Sequence, residues 1–378
     1  MKSYPETSSL LQTPRHNPSY FEVTSVLGHV IDYCVPANPY FPSQKMQALL
    51  AESLPDLLKY YPDYGPGTVA ALSDITGIDP ANILAVNGST EVITVLVNSL
   101  MKGPILTDIP TFGRWTDLPV DIGKSLILFP RPMEQEFHVA PDEWVAFAKK
   151  SHVQSMVLCN PNNPTGSLNR RGELLNIIER LSHLDLIVID ESFMPFADEP
   201  ERDSFEKMAS RLPNVVVVKS MGKALGWHGI RLGYVVGHRQ VIERLRPLIP
   251  YWNINGIAQY ALSLVRDNQA AFFQSHARVV EDRRYLEQRL RKISQLRVFS
   301  SQANFVFFQI PDSCDGLDLR ERLLKNHRLF VRECSNKVGS SSAFFRVAAR
   351  PREDTDRLVA ALQREGFRTG QLESESPA

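Results

Sequence analysis

Short apolar runs alternate with stretches of helical periodicity from about residue 68 to about residue 246. The runs at 83–86, 105–107, 126–129, 155–159, 186–189, 215–218 and 234–236 are rich in Val, Ile and Leu, and several are continuous. A strand covered on both faces has that pattern, so these runs predict an α/β fold with a mostly parallel sheet of seven strands and crossover helices. Between them, 90–101 ends at Gly103, 141–150 opens on Pro141 and 170–181 carries helical periodicity, so each predicts a helix.

After Gly256 the texture changes to long helical stretches, then strands at 298–300, 304–310, 329–332 and 344–348, with helices near 317–325 and from Glu353. This predicts a second, smaller α+β domain over 256–378, beside a large domain over 46–255. Residues 1–45 are expected to form an arm that completes the small domain, and the tail 373–378 to fray.

Lys plus Arg equals Asp plus Glu, 42 against 42, so no basic field collects nucleic acid or an anionic membrane, and a small-molecule substrate is expected. The opening thirty residues are polar and broken by Pro5, Pro14 and Pro18. No apolar run approaches the roughly 18 residues of a membrane span, so neither a signal peptide nor an anchor is expected. Cys34, Cys159, Cys314 and Cys334 are scattered without metal-ligand or redox spacing. They predict reduced thiols, a cytoplasmic location and no metal site.

Three blocks carry candidate chemistry. The run 215–218 enters a glycine-rich loop with Ser220, Lys223 and, eight positions later, Arg231. Backbone N–H groups, a hydroxyl and an arginine in such a loop suit a phosphate. Upstream, 160–166 reads Asn-Pro-Asn-Asn-Pro-Thr-Gly directly after a strand, which is also ordinary turn chemistry. Asp190 ends the apolar strand 186–189, where ligands of open α/β sheets bind, although a helix cap explains it equally well. Apart from these three, Ser89 and Thr90 join a strand to a helix, placing hydroxyls and free N–H groups at a ready anion site.

Taken in their order along the chain, 160–166, Asp190 and 215–231, the three blocks resemble the fold-type-I pyridoxal-phosphate enzymes of the aspartate aminotransferase superfamily. The branch they are most similar to contains histidinol-phosphate aminotransferase and threonine-phosphate decarboxylase. The resemblance runs from about Asp32 to the final helix and implies pyridoxal 5′-phosphate held as a Schiff base on Lys223. Lys219 lacks the eight-residue relation to Arg231 and is the weaker candidate. By the same resemblance Asp190 keeps the pyridine nitrogen protonated and Asn163 donates to the phenolic oxygen. Ser89, Thr90, Ser220 and Arg231 hold the phosphate, and Phe112 stacks on the ring. Tyr61 is implied to reach the neighbouring subunit's site in a homodimer, with Tyr60 and Tyr64 left open. Arg346 matches the arginine that forks onto the substrate α-carboxylate. Asn38 is implied to line that side of the pocket, and Glu22 is a candidate for a cationic substrate side chain.

Two positions depart from the pattern. Phe193 stands where aminotransferases of this family carry a tyrosine, and Gly222 where many carry a serine or threonine. The resemblance implies an enzyme acting at an amino acid's α-carbon, with transamination to a 2-oxo acid expected first. The alternatives are a decarboxylase, a lyase, or a cyclase resembling capreomycidine synthase. A silent cofactor-binding module is disfavoured, because Lys223, Asp190, Asn163 and Arg346 are all retained.

Overall fold

A computed structural model describes residues 20–368, so Pro5, Pro14, Pro18 and the tail 373–378 lie outside the described residues. Thirteen strands follow in chain order: β1 (Ile31–Asp32), β2 (Ile83–Val86), β3 (Ile105–Ile109), β4 (Leu126–Pro130), β5 (Ser155–Cys159), β6 (Leu186–Asp190), β7 (Val215–Ser220), β8 (Gly233–Gly237), β9 (Arg297–Phe299), β10 (Phe305–Gln309), β11 (Leu329–Phe330), β12 (Arg332–Glu333) and β13 (Phe344–Ala348).

The large sheet has the order β2-β8-β7-β6-β5-β3-β4. Strands β3 to β7 pair in parallel, while β8 runs antiparallel to both its neighbours. Strand parity explains the continuous apolar runs. Ile187, Ile189, Val215 and Val217 enter one core, whereas Leu186, Val188, Val216 and Val218 enter another on the opposite face. With both faces covered, polar residues are few inside the strands, Thr107 and Asp108 of β3 among them, and the chemistry-bearing residues collect where the strands end.

A separate antiparallel sheet has the order β12-β13-β10-β9, and β1 pairs in parallel with β11. The strand expected at 329–332 is therefore two: Leu329–Phe330 pairs with the N-terminal segment, and Arg332–Glu333 with β13. A change of partner has no signature in local composition. The helix expected at 90–101 begins earlier, at Gly88, and passes at Leu96–Leu100 into a π-helical turn. Ser89 thus lies inside the first turn, and Asn87 is the cap position, its N–H donating to the Glu91 carboxylate at 2.7 Å. No helix among the described residues is long and apolar enough to cross a membrane.

Candidate active site

The C-terminal ends of β5, β6 and β7 deliver the centre of the site. Asp190 closes β6, and Ser220 closes β7 before a four-residue helix, Met221–Ala224, that carries Lys223. One cavity is lined by Ser89, Phe112, Asn163, Asp190, Phe193 and Lys223, six of the expected residues drawn from segments far apart in sequence. Cys159, Pro161 and Ser192, which sequence reasoning missed, complete its wall.

Asp190 is buried, and both its oxygens are occupied. Trp115 Nε1 donates to Oδ2 at 2.9 Å, and the Ser192 N–H to Oδ1 at 3.1 Å. The carboxylate is fixed by donors other than lysine. Lys223 Nζ stands 4.9 Å from the centroid of the Phe193 ring. Burial pushes this amine down to about 8, opposed by Asp190 and assisted by the positive charges of Arg346 and Arg231. A lysine so depressed keeps a usable neutral fraction near physiological pH, which nucleophilic and proton-shuttling work requires.

Two glycines build a cradle beside it. A Cβ on Gly88, whose φ is +70°, would fall 2.6 Å from Arg231 Nη2. A Cβ on Gly233 would fall 3.0 Å from the Ser89 nitrogen and 2.6 Å from the Lys219 carbonyl oxygen. The absence of side chains lets the guanidinium approach the start of the helix at Gly88. Arg231 donates to the His228 carbonyl at a long 3.5 Å, so its remaining donors suit an anion. At Gly222 a Cβ would meet the His228 Cα at 3.1 Å and the Trp227 carbonyl oxygen at 3.4 Å. The close turn at Trp227–His228 explains the glycine in place of a hydroxyl residue. Thr90 is exposed and does not line the cavity.

Arg346, on β13, is buried and donates through Nη1 to Asn163 Oδ1 at 2.7 Å and through Nη2 to the Cys34 carbonyl oxygen. Its Nε has no partner, and its guanidinium lies 5.1 Å above the Phe305 ring. Burial, then the neighbouring Arg332, hold it down to about 10. With Oδ1 committed to Arg346, the Nδ2 group of Asn163 is the half left to donate into the cavity.

Three expected residues are placed elsewhere. The Asn38 amide donates to the Ala224 carbonyl oxygen at 2.9 Å and to Ser275 Oγ at 2.7 Å, and its Oδ1 accepts from the Tyr40 N–H. With its backbone N–H on the Lys223 carbonyl oxygen, Asn38 ties the N-terminal segment to the lysine helix instead of lining the cavity. Glu22 lies on the exposed side of a helix, Tyr20–Leu27, whose Val23 packs with Val30, Cys34 and Phe330, and it does not line the cavity. Tyr61 is 81% exposed and stacks on Trp252 at 4.8 Å, also outside the cavity.

Sequence reasoning also missed Trp115, Arg332 and Lys337. A tryptophan whose N–H needs a buried acceptor was the available hint for the first. For the other two, the cationic runs around β12 carried no local signal.

Pyridoxal phosphate fits this arrangement. An amine of depressed basicity, a carboxylate with both oxygens held, a ring-facing aromatic and a glycine cradle beside an arginine each match one part of the cofactor. The family model for aminotransferase class I and II matches residues 30–362. An L-serine phosphate decarboxylase of Campylobacter jejuni is 28% identical over 364 residues, with 92% of each chain covered. The solved structure of a decarboxylase from Sulfurospirillum multivorans superposes with a TM-score of 0.82 at 26% identity, covering 95% of both chains. Histidinol-phosphate aminotransferase from Sinorhizobium meliloti, solved with pyridoxal-5′-phosphate, shares the fold with a TM-score of 0.81 at 18% identity over 96% of this chain and 98% of that one. The chain therefore belongs to the class I and II aminotransferase family of pyridoxal-phosphate enzymes.

Proposed function

We propose that this protein removes the α-carboxyl group of an O-phosphorylated amino acid, with pyridoxal phosphate bound at Lys223. One observation carries the reading. Arg332 and Arg346 face each other across β12 and β13, and their hydrogen bonds run to Asn336, Asn163 and a carbonyl oxygen, not to carboxylates. Two guanidinium groups in one register position repel each other unless anions lie between them. One α-carboxylate answers one of them, and the second calls for another anion on the substrate. The similarity to serine phosphate decarboxylase at 28% identity supplies the chemical class of that anion.

When bound, pyridoxal phosphate supplies the electron sink for bond breaking at the α-carbon. Asp190, held by Trp115 and the Ser192 N–H, presents a fixed anion to the ring nitrogen. Ser89, Ser220 and Arg231 would hold the phosphate end, and Phe112 would cover the ring. Arg346 grips the substrate carboxylate and Asn163 aligns it through their mutual hydrogen bond. Lys223 Nζ holds the proton that replaces the departing carboxyl group at the α-carbon. Transamination, expected first from sequence, needs a proton taken from one carbon and returned to another. Decarboxylation needs a proton delivered once, and a site with Phe193 in place of a tyrosine hydroxyl suits that simpler traffic.

A homodimer belongs to the same proposal. Tyr61, Tyr64, Tyr251 and Trp252 form a cluster of exposed aromatic rings in mutual contact, with Tyr60 exposed beside Tyr61 in the chain, the composition expected of a covered interface. The decisive experiment incubates the cofactor-loaded protein with O-phosphoserine and O-phosphothreonine, with and without a 2-oxo acid. Carbon dioxide in step with the phosphorylated amine is expected. Formation of a phosphorylated oxo acid instead restores the aminotransferase.

A further inference from the structure

The chain between β12 and β13 turns back on itself over the ring-stacking loop. Lys337 donates its N–H to the Cys334 carbonyl oxygen at 3.0 Å, and Ser340 closes the next turn on the Lys337 carbonyl oxygen at 2.9 Å. Gly339, with φ +80°, lies so close to Ile109 that a Cβ would stand 3.1 Å from that side chain. The connection is thereby pinned to the end of β3, three residues before Phe112. Lys337 Nζ is carried to 5.5 Å from the Phe112 ring centroid. It also stands 3.3 Å from where a Gly113 Cβ would be, so the bare backbone of Gly113 admits it.

The charges facing Lys337 come from every element around it: Arg332 on β12, Arg346 on β13, the Cys334 thiol, and Asp117 on the helix Arg114–Asp121. No ion pair joins Lys337 to Asp117 among the described residues. Three basic groups from the small sheet and its connection thus converge beside the cofactor cavity, with Asp117 facing Lys337 and Asp32 facing Arg346.

We propose that Lys337 is the specificity-determining residue for the substrate side chain, contacting its phosphate so that the site selects a dianion over a carboxylate. The inference rests on the phosphomonoester reading above and assigns it a residue. Burial, then Arg332 and Arg346, hold the Lys337 amine down to about 8 before substrate arrives. A bound dianion favours the ammonium, so the site takes up a proton on binding wherever the free amine is neutral. Above pH 8 the affinity for phosphorylated substrate therefore declines as pH rises.

The test compares wild type, Lys337→Met and Lys337→Arg, all cofactor-loaded, on O-phosphoserine and aspartate. The visible spectrum of the bound cofactor reports that each variant is folded. In Lys337→Met the ratio of kcat/KM for O-phosphoserine over aspartate falls about 10- to 100-fold, the range for loss of a hydrogen bond to a charged group. Wild-type KM for O-phosphoserine climbs above pH 8. In Lys337→Arg the climb flattens, because a guanidinium keeps its charge. Calorimetry with inorganic phosphate at pH 8.5, in buffers of different ionisation enthalpy, shows proton uptake by wild type and none by Lys337→Arg. Turnover of O-phosphoserine with the Lys337→Met ratio and the Lys337→Arg pH profile both unchanged overturns the role of Lys337 alone. No turnover of O-phosphoserine by wild type overturns the functional reading and this inference together.

Discussion

Lys219 and Lys223 stand four residues apart on one strand and the helix it enters, yet they occupy opposite faces of the sheet and opposite chemical states. Strand parity sends Val215, Val217 and Lys219 towards Ile187, Ile189 and Glu191, and Val218 and Ser220 towards Val188 and Asp190. Lys219 Nζ pairs with Glu191 at 2.8 Å and Glu206 at 3.1 Å, and Tyr234 donates its hydroxyl to Glu206 at 2.8 Å. Burial alone would depress this amine, but the two carboxylates override it and raise its pKa. Lys223 has a carboxylate nearby as well, but Trp115 and the Ser192 N–H occupy both oxygens of Asp190. The difference teaches what makes a lysine reactive here. A carboxylate close enough to pair holds the proton on; one held by other donors lets burial win, and the amine falls to about 8.

The largest expected effect comes from breaking the pair. On the role proposed for it, Lys223→Ala removes both the covalent anchor and the proton donor, and loss of proton transfer alone costs roughly 10²- to 10⁴-fold in kcat. Borohydride then fixes no cofactor to the chain. Lys219→Met leaves the borohydride adduct on Lys223 but strands Glu191 and Glu206, costing about 3–5 kcal/mol in denaturant unfolding. An adduct on Lys219 in either protein would reverse the assignment. The two lysines also differ in sign. In the cofactor-free chain Lys223 binds its proton less tightly folded than unfolded, so stability rises with pH between about 8 and roughly 10.4 as that misfit is relieved. Lys219, whose folded pKa is raised, contributes stability that is present below the unfolded pKa and lost as pH climbs through the folded one. Unfolding of Lys223→Met and Lys219→Met followed from about pH 8 to above roughly 10.4 separates the two slopes, the first lying below that upper value and the second above it.

A milder change sharpens the comparison at Asp190. Trp115→Phe deletes one of its two donors, and a drop of about tenfold in kcat/KM is expected with cofactor still bound. Ser204→Ala, which removes a donor from Glu191 across the sheet, leaves kcat within about twofold, because that carboxylate faces away from the cavity. Equal effects of the two changes would mean that the faces are not chemically separate.

Strand ends were the part of this site legible in sequence. Asp190 and Lys223 each follow a run of apolar residues long enough to fix a buried strand, so their position at the rim follows from local pattern. Even the separation of Asp190 from Glu191 is written in the alternation of β6. Contacts spanning the chain were not legible. Asn38 binds partners 186 and 237 positions away, and nothing near residue 38 distinguishes an amide that clamps a helix from one that lines a pocket. Arg332 and Lys337 meet Phe112 and Arg346 only because β12 leaves the register of β11 and its connection folds over Ile109. The division of 329–332 into two strands is the same blindness, since strand partners are chosen by tertiary packing.

Phe193 offers the smallest and most discriminating perturbation. Its ring packs edge-on against Phe305 at 5.0 Å and lies 4.9 Å from Lys223 Nζ, so Phe193→Tyr keeps the aromatic face presented to the amine and adds only a hydroxyl. If that hydroxyl reaches the cofactor's phenolic oxygen beside Asn163, it stabilises the deprotonated form, and the midpoint of the visible-band titration falls by about one unit or less. An oxygen crowded into the packing with Ala303 and Phe305 costs about 1–3 kcal/mol instead, and thermal unfolding records it. A lowered midpoint with little loss of stability makes Phe193 a withheld hydrogen bond. An unchanged midpoint with a clear loss makes it a packing residue, and the depressed basicity of Lys223 then comes from burial and the two arginines acting against Asp190.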